Sequence, residues 1–362
     1  MNNFEYSKII TFNLIVASII PFLIWGPFFP DLIVSISSLF FLYQVLKNKN
    51  YNYFFKKPLI IFFIFCIYCI LISIFVSKDV ILSFESSLFY FRIGIFSCFI
   101  WFLIDQDKSI LTFFYYSLIL CFSVLVIDGY IQYFTGVNLF GLKILDSRIS
   151  SFFGDELILG SFLSRLFPLL FALFLIKKKQ KYEIYLIGLL FILVDVLIFM
   201  SSERAAFFFL NLSTIFIIFL IKEYQKFRLI TFILAIICVF FLSLNSSNLT
   251  YRMFKGPAQD MGIVKSSNKA VIFSPGHDSL FRTGFNMFKE KPIFGHGPKM
   301  FRVLCLEKKY RTGIDPCTTH PHNFYIQLLA ETGIGGFLFL LSAFGYVCYA
   351  AFNQLYSIIF KK

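Results

Sequence analysis

Pro58-Leu-Ile-Ile-Phe-Phe-Ile-Phe-Cys-Ile-Tyr-Cys-Ile-Leu-Ile-Ser-Ile-Phe-Val-Ser77, preceded by Lys56 and Lys57, decides the fold. An uncharged run of about 20 residues, coiled as a helix, spans the hydrocarbon of a bilayer. Outward from it, comparable apolar segments lie near 8–26, 28–46, 87–104, 110–128, 158–176, 185–201, 204–221, 229–245 and 326–352. Ten spans in all predict an all-α, polytopic membrane protein. The composition agrees: with 58% hydrophobic residues, 15% charged and a mean hydropathy of +0.79, a soluble domain is excluded. The first 25 residues lack a charged leader region and a small-residue cleavage site, and read as a retained helix.

The formal charge of +13 sits mainly in short loops: Lys47, Lys49, Lys56 and Lys57; Lys177, Lys178, Lys179 and Lys181; Lys222, Lys226 and Arg228; and Lys361 and Lys362. With an even number of spans, all of these fall on one side, which the positive-inside rule makes cytoplasmic. The chain then divides into helices and short loops over 1–245, one long extracytoplasmic segment over 246–321, and a final span with its tail over 322–362. The long segment carries 12 Lys and Arg against 5 Asp and Glu, a surplus suited to phosphate or to a surface resting on anionic lipid. A nucleic-acid partner is not expected.

All four histidines, His277, His296, His320 and His322, lie in or beside that segment. His-Pro-His-Asn-Phe-Tyr-Ile-Gln-Leu-Leu-Ala-Glu-Thr-Gly at 320–333 reads as a helix start with Pro321 in its first turn and His320 or Thr319 as cap. His322 would then occupy the first turn, where the helix dipole keeps imidazole neutral, the form a general base needs. Asn323, Gln327 and Glu331 recur at i, i+4 and i+8 as one polar stripe. Arg204 follows Ser-Ser-Glu in a tight turn between spans and suits an anion, with an internal pair to Glu203 as the plainer reading. Arg282 starts a short amphipathic helix closed by Pro292 and the Gly295/Gly297 turn, within which His296 lies; alone it is as readily a solvated charge. Arg92, Asp128, Arg165 and Asp195 lie inside apolar segments, to line a groove or pair within the bundle. The Asp128 loop, ending in Arg148 and Phe-Phe-Gly-Asp-Glu, suits either sugar stacking or plain capping.

Cys305 and Cys317 are the only two of eight cysteines outside the spans and are expected to form a disulfide in an oxidising periplasm. A zinc site with His320 and His322 competes, but the compartment and irregular spacing argue against it. The other six cysteines read as packing residues.

Ser-Ser-Glu-Arg204-Ala-Ala, the Arg282 helix running into Pro-Ile-Phe-Gly-His-Gly-Pro, and His322-Asn323 leading to Glu331-Thr-Gly together resemble the O-antigen ligase and polymerase superfamily. The Asp128–Arg148 loop is a weaker fourth likeness. The resemblance implies a metal-independent, cofactor-free, inverting glycosyltransferase in the bacterial inner membrane, its active site facing the periplasm. Its donor would be an undecaprenyl-diphosphate-linked glycan and its acceptor a lipid-linked sugar, either lipid A-core for a ligase or another repeat unit for a polymerase. Arg204 and Arg282 would then grip the diphosphate and His322 would activate the acceptor hydroxyl, with Asn323, Gln327, Glu331, Arg148 and His296 in support. A transporter is the alternative of another class; internal repeats and paired broken spans, which it would be expected to show, are not found.

Overall fold

The computed structural model describes residues 6–177, 180–260 and 275–360; Lys178, Lys179, Lys361, Lys362 and the stretch containing Ser267 lie outside them. In chain order the principal helices are α1 (Tyr6–Ala17), α2 (Phe28–Asn48), α3 (Lys57–Phe75), α4 (Val80–Gln106), α5 (Ser109–Thr135), α6 (Leu159–Ile176), α7 (Lys181–Met200), α8 (Arg204–Leu220), α9 (Gln225–Asn245), α10 (Pro275–Glu290) and α11 (Phe324–Phe360). There is no β-strand among the described residues, only two isolated bridges. Eight helices are long and apolar enough to cross a membrane, while Ile9–Trp25 and α8 are shorter apolar helices. These ten coincide with the ten apolar segments.

Three boundaries differ from the sequence expectation. The loop expected near 78–86 is mostly helix, because Asp79 caps α4 by accepting from the Leu82 amide (3.0 Å) and nothing between there and Arg92 breaks the helix. Helix α5 runs past Asp128 to Thr135 and stops where Gly136 takes a left-handed φ of 81°. Helix α11 is two helices joined at Gly333, whose φ of 63° and ψ of −166° are not helical.

The chain forms two compact units, one from Met1–Ile33 and Leu103–Asn268, the other from Val34–Phe102 and Lys269–Lys362. They interleave along the chain and cut across its sequential division.

The first unit is built on aromatic packing. Phe167, Phe171 and Phe174 of α6 surround Phe191 of α7, with ring centroids 5.0, 5.8 and 5.9 Å away. In lipid such contacts stabilise through dispersion and shape, since tails are as apolar as the side chains. Beneath them Arg228, expected in a cytoplasmic loop, is instead fully buried in α9. Its guanidinium meets Asp195 (2.9 Å), Thr214 (2.6 Å) and Thr231 (3.3 Å) and lies 4.6 Å over Phe167. The lysines around it misled the sequence reading; a cation three residues into a helix reaches inward if an anion waits there. Asp128 is likewise buried and ties down the loop after α5, accepting from the Leu139 amide (2.9 Å), Asn138 (3.3 Å) and Ser151 (2.5 Å). That use matches the capping reading of this loop.

In the second unit α3 and α4 share a hydroxyl chain through Ser73, Ser83 and Ser87. Cys66, Cys69, Cys98 and Cys121 are buried packing residues, but Cys238 and Cys348 are exposed. Both lie in apolar helices, so placement in such a helix does not by itself make a cysteine internal.

Candidate active site

The break at Gly333 organises the chemistry of the second unit. Interrupting a helix strands carbonyls and amides that must find partners. Here the Pro292–Gly297 loop supplies them: His296 and Gly297 donate to the carbonyls of Ala330 (3.1 Å) and Glu331 (2.7 Å), while Ile334 and Gly335 donate to Pro292 (2.8 Å) and Ile293 (3.2 Å). The approach needs glycine. A Cβ on Gly333 would lie 2.4 Å from the Ile293 carbonyl oxygen, and one on Gly295 would meet the Glu331 backbone at 2.5 Å. Tyr68 of α3 adds a hydroxyl to the Thr332 carbonyl (2.7 Å).

This clasp consumes most of the polar stripe. The buried Glu331 carboxylate accepts from the Phe301 amide and from Gln327, both at 3.2 Å. Asn323 is the N-cap of α11, its Oδ1 accepting from the amides of Tyr325 (3.0 Å) and Ile326 (3.2 Å). His296 is buried, with Nε2 2.9 Å from the Met287 carbonyl and its ring against Tyr310, and burial pushes its pKa down. The capping corrects the sequence reading: α11 starts at Phe324, so neither Pro321 nor His322 is in its first turn. Asn outranks His as a cap, a signal present in the sequence.

His322 therefore sits outside the helix, in a left-handed turn with φ 54°. It is exposed, and its ring faces those of His320 (4.4 Å between centroids) and His277 (5.8 Å). Its pKa is lowered first by partial burial and then by His320, so the imidazole is neutral near pH 7. The form matches the expectation, but its cause is the neighbourhood and not the dipole. His277, given no role from sequence, opens α10 one turn before Phe281 and Arg282. The Arg282 guanidinium donates to Asp278 (2.7 Å) with its side chain 69% exposed. The buried face of α10 is Ser279, Leu280, Thr283, Gly284 and Met287, while Phe285 is exposed.

Cys305 and Cys317 are joined as a disulfide with Cα atoms 5.1 Å apart, so neither sulfur is available to a metal beside His320 and His322. Around Cys305 pack Met287, Met300, Phe301 and Leu304.

The other expected residues belong to the first unit. Arg204 begins α8 and donates from Nε to the Arg252 carbonyl (2.8 Å). Glu203 is engaged elsewhere: its carboxylate accepts from the Gly160 amide (2.6 Å) and from the Ser161 amide (3.0 Å) and hydroxyl (2.5 Å), capping α6. Arg148 is half-buried and pinned to the carbonyls of Ser201 (3.3 Å) and Leu157 (2.8 Å), and burial lowers its pKa. Arg252, overlooked in the sequence, donates to the Asp146 carbonyl (2.9 Å) and adds a third arginine to this end of the unit.

Residues 186–341 match the family described as O-antigen ligase. The match takes in Arg204, Arg282, His322 and Glu331 and leaves out the Asp128 loop and Arg148. No curated protein and no solved structure matches the chain significantly.

Proposed function

We propose that this chain, whose residues 186–341 belong to the O-antigen ligase superfamily, is a metal-independent inverting glycosyltransferase of the bacterial inner membrane. The family supplies the broad function, glycosyl transfer of the O-antigen ligase and polymerase type on lipid-linked substrates. The finer reading takes undecaprenyl diphosphate as the donor's carrier, a sugar hydroxyl of a lipid A-core-like acceptor as nucleophile, and the periplasm as the side of reaction.

The observation that carries it is His322: a neutral, exposed imidazole held one residue ahead of a capped helix. In the reaction the acceptor oxygen attacks the anomeric carbon of the carrier-linked sugar. The bond from that carbon to the diphosphate oxygen breaks, its electron pair leaves with the diphosphate, and the hydroxyl proton passes to the His322 ring. A single displacement inverts the anomeric centre. Arg282 and Arg204 are assigned to the diphosphate, where guanidinium forks offset the charge of the leaving group.

Purified protein reconstituted in nanodiscs tests this, with glycan transfer and donor affinity measured separately. His322→Ala should abolish transfer, a general base contributing roughly 10²–10⁴-fold, while donor affinity stays near normal. Arg204→Ala and Arg282→Ala should each weaken donor binding about tenfold, with only partial rescue by lysine. Near-normal transfer by His322→Ala would overturn the mechanism. Supplying lipid A-core or a second lipid-linked repeat as sole acceptor separates ligase from polymerase.

A further inference from the structure

Of the four charges that the sequence places inside apolar segments, three have partners. Asp128 holds its loop, Asp195 pairs with Arg228, and Arg92 donates to Ser35 (3.2 Å). Arg165 is different: it is exposed on α6 and makes no hydrogen bond or ion pair among the described residues. It lines a groove of about 330 Å³ between α6 and α8. Ser161 and Ser164 lie beside it, and Phe209, Leu212 and Phe216 continue the wall along α8.

An unpaired guanidinium in an apolar helix is costly, and lipid tails offer it nothing. Arg165 lies six residues into α6, about 9 Å along the axis from Leu159. That is the end remote from Lys177, and a long arginine side chain at that depth snorkels toward the headgroup level. The neighbouring hydroxyls point their protons inward, Ser161 to Glu203 and Ser164 to the Ser161 carbonyl (3.3 Å), so the arginine is the groove's cation and the phenylalanines are its apolar floor.

We propose that this groove holds a polyprenyl phosphate lipid, its phosphate on Arg165 and its isoprenoid chain along Phe209, Leu212 and Phe216. The inference rests on the reading of the protein as a user of polyprenyl-linked donors and adds a place where the carrier docks from the bilayer. Charge complementarity selects a phosphate, and a groove at the small end of ligand pockets admits one chain more readily than the two of a diacyl lipid.

The test is retention of undecaprenyl phosphate by the full-length protein in phosphatidylcholine nanodiscs, read by native mass spectrometry. Arg165→Gln should lower retention about tenfold, the loss of one charge-assisted contact, and Arg165→Lys should restore part of it. Leu212→Trp, which fills the groove and leaves the arginine in place, should lower retention as well; size-exclusion profiles establish that each variant is folded. Neither inorganic phosphate nor phosphatidylglycerol should displace the lipid at equal concentration. Equal retention by all folded variants, or displacement by either competitor, would overturn the proposal. Transfer by His322→Ala is scored separately: its persistence would defeat the catalytic reading while the retention series still decides the groove.

Discussion

His322 holds a left-handed backbone that non-glycine residues adopt at a cost of about 1–2 kcal/mol. The surrounding structure sustains it through the Asn323 cap on one side and Pro321, which is buried, on the other. The consequence is an imidazole turned toward two others, with its pKa below the ordinary 6.5 because burial and His320 disfavour the cation. A base in this state is competent when deprotonated. The transfer kcat/KM should therefore be flat near neutrality and fall only at pH below 6.5, and His320→Gln should move the acid limb upward by removing a like charge. A limb centred above 6.5 in the wild type would contradict the assignment. His296 carries the opposite lesson: its depressed pKa belongs to a buried ring, so its protonation favours the unfolded chain. Its share of stability is fully present above the unfolded value and declines as pH falls below it.

The clasp between the Pro292–Gly297 loop and the break in α11 is the element on which the candidate site stands. Gly333→Ala would force a Cβ into a left-handed backbone and against the Ile293 carbonyl oxygen at 2.4 Å. We expect a loss of at least about 1–3 kcal/mol and a clear drop in thermal stability in detergent. Unchanged melting would mean the break is not obligatory. The Cys305–Cys317 disulfide closes a loop of sequence separation 12 next to the same clasp. Non-reduced peptide mapping should recover the linked pair, and reduction should destabilise the segment by roughly 3 kcal/mol in the chain-entropy account. Two free thiols in protein from an oxidising compartment would refute the pairing.

For the molecule as a whole, the buried Arg228–Asp195 pair has a stability role. Removing one partner leaves an uncompensated charge, so Arg228→Met or Asp195→Leu alone should cost about 3–5 kcal/mol and reduce folded yield. The double substitution should recover much of that loss, because the desolvation cost disappears with both charges. Additive losses in the double variant would show that the pair is not a unit. Orientation is a second whole-molecule property. A cysteine at Ser267, introduced in a background lacking Cys238 and Cys348, should react with a membrane-impermeant maleimide applied from the periplasmic side. Reaction only after the inner membrane is permeabilised would reverse the topology.

Hydropathy alone determined that this is an all-helical polytopic membrane protein, eight of whose described helices are long and apolar enough to cross, because lipid demands long uncharged runs whatever the tertiary contacts. The order of arginine and histidine motifs carried a resemblance to one family, and the match over 186–341 agrees with it. Partnership was beyond the sequence. Whether Arg228 lay in a loop or in the core, whether Asp128 ended a helix or held its loop, and which of Asn323 and His322 capped α11 all depended on atoms distant in the chain. Only the folded structure shows that Glu331, Gln327 and His296 spend their polar atoms inside the clasp while His322 and Arg282 stay exposed. The physical reason is that a polar side chain in an apolar helix announces a need for a partner, and only tertiary packing settles whether the protein or a ligand meets it.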